Sequence, residues 1–335
     1  MKTNITITYT LAALLTVTSG FIAPAQAKAK PCEPPKVTLL ASNLGLSFGS
    51  TVGPDNALYV AALEGNIFRV DPRTGRVSTF ASGLPTALPD GFGTIDVAFI
   101  GKTAYFLASV VDPFVGGSSA DGIYRLDGPH SFTLVADIGQ FAASHPPVTA
   151  FELPNGVQYA LEVFRDGFLV TDGHHNRVYS VARGGQVSEL IAFNDIVPTG
   201  LAVRGNTIYM AEAGPVPHNP ADGKIVAFAP GSRTAVEIAS GAPLLVDVEL
   251  GRGNTLYALS QGDFPEGGFP GEPALPNTGS LVQANRDGTF RVIVSGLNQP
   301  TSLELIGNTA YVVTLNGELW KIDNVSCPAS DGGER

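Results

Sequence analysis

Carboxylates stand in this sequence where an apolar β-run would ordinarily exclude them. Asp96 interrupts Ile95-Asp96-Val97-Ala98-Phe99-Ile100, and Glu162 interrupts Tyr159-Ala160-Leu161-Glu162-Val163-Phe164. Asp247 and Glu249 alternate with apolar residues in Leu245-Val246-Asp247-Val248-Glu249-Leu250, and Glu304 lies in Thr301-Ser302-Leu303-Glu304-Leu305-Ile306. Buried runs rarely carry ionisable groups without a reason. If the five converge, they supply oxygen donors suited to a hard cation such as Ca²⁺. Their other use is hydration, or hydrogen bonding to neighbouring backbone. Histidines offer less. His174 and His175 are adjacent strand–turn residues that point to different sides, so Asp172 and Asn176 are read as caps of a turn and not as parts of a metal site. His130, His145 and His218 fall in Pro- or Gly-rich stretches and are expected in solvated loops. No Gly-x-Ser-x-Gly elbow, Cys-x-x-Cys, His-Glu-x-x-His or phosphate-binding loop occurs.

The elements that must position these acids repeat along the chain. The phrase Asn56-Ala57-Leu58-Tyr59-Val60 returns as Lys102-Thr103-Ala104-Tyr105-Phe106, Asn206-Thr207-Ile208-Tyr209-Met210, Asn254-Thr255-Leu256-Tyr257-Ala258 and Asn308-Thr309-Ala310-Tyr311-Val312, with Asp166-Gly167-Phe168-Leu169-Val170 as a degenerate copy. Each is a turn followed by a β-favouring run. After each comes a period-2 stretch such as Gly65-Asn66-Ile67-Phe68-Arg69-Val70 or Gly317-Glu318-Leu319-Trp320-Lys321-Ile322. A further strand often follows, and the acid-bearing run precedes. Six units of four strands, a to d, make an all-β fold, a six-bladed β-propeller, with almost no helix. Strand a of each blade then lines the central channel, which is where the five acids would meet. The last unit has only three strands. Val37-Thr38-Leu39-Leu40-Ala41-Ser42-Asn43-Leu44 resembles the strand-d copy Val77-Ser78-Thr79-Phe80-Ala81-Ser82-Gly83-Leu84. The N-terminal strand is therefore expected to complete the last blade and close the ring.

Composition agrees with this architecture. Among 335 residues, 39 Gly and 25 Pro exclude a helical bundle, and a hydrophobic fraction of 44% excludes disorder. The net charge is −10 with no basic run, so nucleic acid is not an expected partner. Lys2, the apolar residues 11–22 and Ala25-Gln26-Ala27 read as a cleaved signal peptide over 1–27, and the apolar stretch is shorter than the ~20 residues a spanning helix needs. The chain is therefore expected to be a secreted or periplasmic monomer without a membrane span. It has a linker at 28–36, the propeller at 37–325 and a tail at 326–335. Cys32 and Cys327 flank the seam between the first and last strands, and in an oxidising compartment they are expected to form one disulfide.

At Leu169-Val170-Thr171-Asp172-Gly173-His174-His175-Asn176-Arg177-Val178 the chain resembles the NHL-type propeller repeat. The wider pattern is similar to the ScyD/ScyE family of secreted propellers, named from scytonemin pigment clusters. It includes Asp137-Ile138-Gly139-Gln140-Phe141, Val197-Pro198-Thr199-Gly200-Leu201-Ala202-Val203 and the Asp247–Glu249 run. The likeness spans about residues 37–325. One departure is His145-Pro146-Pro147-Val148-Thr149, where an Asn-Pro stretch would be expected. The resemblance implies a propeller outside the cytoplasm and supplies no catalytic mechanism.

Two functions compete. One is a non-catalytic binding or scaffold propeller, linked to extracytoplasmic secondary-metabolite processing. Its small-molecule or protein partner would sit at the face carrying the b–c loops, where Phe114, Phe264 and Phe269 would wall the channel mouth. The other is a Ca²⁺-dependent lactonase-type hydrolase of the SMP-30 kind, centred in the channel. Pro198-Thr199-Gly200-Leu201-Ala202 resembles a segment of those enzymes, but Thr199 stands where an Asn ligand is expected. Leu46-Ser47-Phe48-Gly49 stands where a Glu ligand is expected. The two missing ligands favour the binding protein over the enzyme.

Overall fold

The computed structural model describes Met1 and residues 33–326. Six antiparallel four-stranded sheets form the blades of a propeller. The first strand, β1 (Lys36–Ala41), belongs to the last blade. Blade 1 is β2 (Ser47–Val52), β3 (Leu58–Ala62), β4 (Asn66–Val70) and β5 (Val77–Ser82). Blade 2 is β6 (Thr94–Ile100), β7 (Thr103–Ala108), β8 (Gly122–Gly128) and β9 (Ser131–Asp137). Blade 3 follows with β10 (Gln158–Phe164), β11 (Gly167–Asp172), β12 (Arg177–Ala182) and β13 (Val187–Ala192). Blade 4 is β14 (Pro198–Arg204), β15 (Thr207–Glu212), β16 (Lys224–Phe228) and β17 (Val236–Ser240). Blade 5 is β18 (Leu245–Leu250), β19 (Leu256–Ser260), β20 (Gly279–Ala284) and β21 (Phe290–Leu297), and blade 6 is β22 (Pro300–Ile306), β23 (Thr309–Thr314) and β24 (Leu319–Asp323).

The seam forms as the sequence implies. β1 pairs antiparallel with β24, placing Val37 opposite Ile322 and Leu39 opposite Trp320. Asn324 Nδ2 donates to Pro34 O at 3.5 Å, so the two chain ends still run together beyond the ladder. Cys32, Cys327 and residues 2–27 of the expected signal peptide lie outside the described residues. No helix among the described residues is long and apolar enough to cross a membrane. One short helix, α1 (Ile138–Ser144), interrupts the β pattern between blades 2 and 3; Asp137 caps it by accepting from Gln140 N at 2.8 Å.

The core lies between blades, because each sheet has two faces to cover and its neighbours cover them. Tyr105, Leu107 and Ile123 of blade 2 share a cluster with Phe168, Val170 and Tyr179 of blade 3. Tyr257 and Leu281 of blade 5 cluster with Leu303 and Val312 of blade 6, and Leu58 and Val60 of blade 1 with Tyr311 and Val313 of blade 6. The recurrent tyrosine is thus a packing element. Tyr59 illustrates it, with edge contacts to Phe80 and Phe99 at 4.8 and 4.7 Å.

The long β19–β20 loop corrects one expectation. Phe264 is not a free loop aromatic: partly buried, it packs on the cluster between blades 5 and 6, edge-on to His218 at 4.8 Å. His218 is also no solvated residue; it is buried, and its Nδ1–H donates to Gly214 O at 2.7 Å. Phe269 remains 65% exposed. Two aromatic residues five positions apart therefore separate into a packed and a free one, which sequence periodicity in a loop does not reveal. Phe264→Ala is expected to lower stability by at least about 1 kcal/mol, a fraction of the ~3–5 kcal/mol for a fully buried Phe. Phe269→Ala should stay within about ±0.5 kcal/mol. Paired thermal melts of the two variants check this; equal melting temperatures would show that the loop does not pack.

Candidate active site in the central channel

The inner strands carry the acids to one place. A cavity of about 50 Å³ in the channel is lined by Asp96, Glu162, Asp247, Glu249 and Glu304 together, with Tyr159 and Ser302 beside them. Alternation along a strand explains the grouping. Val97, Leu161, Val248 and Leu303 turn into the packed blade interfaces, so the residues flanking them face the channel.

The five acids do not share one role. Asp96 accepts from Val97 N at 2.8 Å and, across to blade 3, from Leu161 N at 2.7 Å. Asp247 repeats this arrangement, accepting from Val248 N at 2.9 Å and from Leu303 N of blade 6 at 2.7 Å. In both recipient strands the ladder register slips just before the bonded amide, between Gln158 and Leu161 in β10 and between Pro300 and Ser302 in β22. The slips coincide with the amides that the aspartates take up. A glycine of the preceding blade makes the room. A Cβ on Gly49 would lie 2.3 Å from Asp96 Oδ1, and one on Gly200 would lie 2.3 Å from Asp247 Oδ1. The same device thus occurs twice, three blades apart. Hydroxyls complete the inner ring: Thr199 Oγ1 donates to Leu245 O at 2.8 Å, Thr301 Oγ1 to Phe48 O at 2.9 Å, and Ser50 and Ser302 hydroxyls meet at 2.9 Å.

Glu162, Glu249 and Glu304 have no such cross-blade hydrogen-bond partner among the described residues. Burial first, and then the charges of Asp96 and Asp247, push the Glu162 carboxyl up to about 8. Glu249 is raised well above the carboxylate range by burial and then by Glu304, Asp247 and Glu162. Glu304 is raised by burial and then by Asp247, Glu162 and Asp96. Asp247 is pushed up to about 7, burial outweighing its amide bonds. Tyr159, which sequence reasoning passed over as part of an apolar run, enters the same cavity. It meets Phe48 edge-on at 5.2 Å, and its hydroxyl is a buried oxygen without a hydrogen-bond partner among the described residues. Its phenol is raised by burial and then by Asp247 and Asp96.

A resident calcium, which the lactonase resemblance implies, does not fit these donors. No group of three or more His, Cys, Asp or Glu side chains among the described residues could hold a metal ion. The Asp96 and Asp247 carboxylates are both engaged by amides, and the Thr199 hydroxyl is donated to carbonyls. The expected mouth residues disperse as well. Phe114 is 71% exposed but borders a different cavity, between blades 2 and 3. The His174–His175 pair is structural. Asp172 Oδ1 accepts from His175 N at 2.9 Å, capping the turn as expected, while Oδ2 accepts from Tyr179 Oη at 2.9 Å. His174 Nε2 accepts from Glu152 N and Leu153 N at 2.8 and 3.0 Å.

No protein-family model matches the chain, and no curated protein matches it. Solved structures do. A gluconolactonase from Xanthomonas campestris aligns with a TM-score of 0.60 at 15% identity, over 88% of this chain and 95% of that one. A PQQ-bound aldose sugar dehydrogenase from Streptomyces coelicolor aligns at 0.59 and 14%, over 88% and 99%. A virginiamycin B lyase from Staphylococcus aureus aligns at 0.53 and 13%, over 86% and 99%. The fold shared with these structures is the six-bladed β-propeller. These three neighbours are named as enzymes, which corrects the expectation of a non-catalytic scaffold as the leading reading; at 13–15% identity they share the fold alone.

The division among the acids has a measurable consequence. Gly49→Ala or Asp96→Ala is expected to destabilise the fold, the latter by about 1–3 kcal/mol for each buried amide left unpaired. Glu162 behaves oppositely. Its folded-state value lies above its unfolded one, so the native state binds the proton more tightly. The associated stability is fully present below about pH 4.5 and is lost as pH rises to about 8. A tenfold gain in proton affinity on folding corresponds to about 1.4 kcal/mol. Glu162→Gln should therefore raise the melting temperature at pH 9 and leave it nearly unchanged at pH 5. A variant that melts lower than wild type at pH 9 would show that Glu162 carries a structural bond.

Proposed function

We propose that the protein is a channel-centred hydrolase of the lactonase type that works by carboxyl acid–base chemistry without a resident metal. The observation that carries this reading is the surplus of acid in the channel. Three glutamates and a buried, unpartnered tyrosine hydroxyl line one cavity, and the fold uses none of them as a cross-blade bond. Desolvated carboxyls with displaced proton affinity are the usual instruments of general acid–base catalysis. In this reading the Tyr159 hydroxyl donates to the carbonyl oxygen of a lactone presented at the cavity. Burial and mutual repulsion hold both Glu249 and Glu304 toward the neutral form, and the one that gives up its proton first as pH rises serves as base. The base takes a proton from water as its oxygen bonds the carbonyl carbon. The neutral Glu162 carboxyl gives its proton to the ring oxygen as the C–O bond breaks. A cavity of about 50 Å³ takes the carbonyl and a water, so the body of the substrate stays outside it.

The motif order set out above supports membership of the ScyD/ScyE family, and Ala25-Gln26-Ala27 supports export. The paired ends of β1 and β24 support a Cys32–Cys327 disulfide across the seam. Mass spectrometry of the non-reduced mature chain should then find no alkylatable thiol; two alkylated cysteines would refute the bond.

Hydrolysis of D-glucono-δ-lactone and dihydrocoumarin by the mature protein in EDTA tests the catalytic reading. Turnover should persist in chelator. Glu162→Gln should lower kcat by roughly 10²-fold or more, and Tyr159→Phe should lower kcat more than it raises KM. Absence of turnover on both lactones, or its abolition by EDTA, would contradict the reading.

A further inference from the structure

The second cavity, of about 310 Å³, lies between the β7–β8 loop of blade 2 and residues 153–156 at the entrance to β10, and shares no lining residue with the channel. Its volume falls at the small end of the range for small-molecule sites. Most of its wall is apolar, formed by Val110, Pro113, Val115, Leu153 and Pro154, with the ring of Phe114 at the rim. At its base Asp112 and Asp121, both buried, face each other across Asn155.

The loop geometry fixes this pair. Asp112 Oδ1 caps the 3-10 turn Pro113–Val115, accepting from Phe114 N at 2.6 Å and Val115 N at 3.3 Å. Asp121 Oδ1 accepts from Val111 N at 2.7 Å. The remaining oxygens share Asn155, and the two carboxyls also meet each other. Asn155 Nδ2 donates to Asp112 Oδ2 and, at 3.3 Å, to Asp121 Oδ2. One amide is therefore the only side-chain N–H donor shown at the two carboxyls among the described residues, and no Lys, Arg or His lines the cavity. The shortage of donors shows in Asp121, whose carboxyl is pushed up to about 7 by burial and then by the charge of Asp112. Near neutral pH Asp121 takes up a proton, and an N–H of a ligand cation can occupy that position.

We propose that this cavity is a binding site for a small organic ammonium ion carried on an apolar or aromatic body. The ammonium donates to Asp112 Oδ2 and Asp121 Oδ2. The body fills the apolar wall, with the Phe114 ring over it. The size of the cavity and its apolar wall distinguish this ligand from a bare metal ion, which would leave most of the volume unfilled.

Calorimetric titration of the full chain with 2-phenylethylammonium chloride tests the proposal, with 2-phenylethanol as neutral isostere and calcium chloride as bare cation. The amine should bind saturably and at least tenfold more tightly than the alcohol. Asp112→Asn keeps an oxygen for the Phe114 and Val115 amides but removes the charge, and should weaken the amine at least tenfold. Phe114→Ala, at an exposed position, should leave the melting temperature unchanged and weaken the amine severalfold; it decides the question even if Asp112→Asn fails to fold. Equal binding of amine and alcohol, saturable binding of calcium alone, no saturable amine binding, or unchanged affinity in Phe114→Ala would each overturn the site.

Discussion

The inner ring of this propeller depends on one interaction, made twice: an inner-strand aspartate on one blade accepting a backbone amide from the next. A propeller tapers toward its axis, so the innermost strands approach closely and leave little room for side chains between them. Asp96 and Asp247 meet that constraint by bonding Leu161 N and Leu303 N directly. Gly49 and Gly200 remove the atoms that would otherwise collide with them. The hydroxyls of Thr199 and Thr301 carry the same function to other blade boundaries. Buried amides left over where the ladder slips would each cost free energy, and these side chains satisfy them.

That constraint shapes the chemistry of the channel. Burial disfavours charge at the axis and raises Asp96 and Asp247 themselves, and wherever these two ionise they put negative potential there. Any further carboxyl placed there is driven toward its neutral form, and Glu162, Glu249 and Glu304 are such carboxyls. The electrostatic setting that lets a carboxylic acid donate a proton near neutrality follows from how the ring is held together. The clasp occupies oxygens that a calcium site would need, which links the architecture to a metal-free reading of the site.

Much of the fold was legible because packing repeats in sequence. The tyrosine phrases mark the blade interfaces, and β1 could be recognised as an outer strand by its likeness to Val77–Ser82. Blade 1 was least legible at its inner strand, Ser47–Val52, because Ser, Gly and Thr there serve the ring and not the core, so no apolar run announces it. The five channel acids could be gathered from their misplaced charge. Their roles could not be separated, since the amide that Asp96 serves lies 65 residues away in sequence. The same limit hid Tyr159 and the packing of Phe264. A lone aromatic ring or hydroxyl carries no sequence mark of whether it finds a partner.

The central claim is that the fold holds protonated glutamate in the channel at neutral pH. A ¹³C NMR titration of side-chain carboxyl carbons in selectively glutamate-labelled protein tests it directly, with Glu162→Gln assigning the resonance. The account predicts a glutamate resonance that is still largely protonated at pH 7, titrates near pH 8 and is missing from the variant. Glutamates that all titrate between about pH 4 and 5 would contradict it.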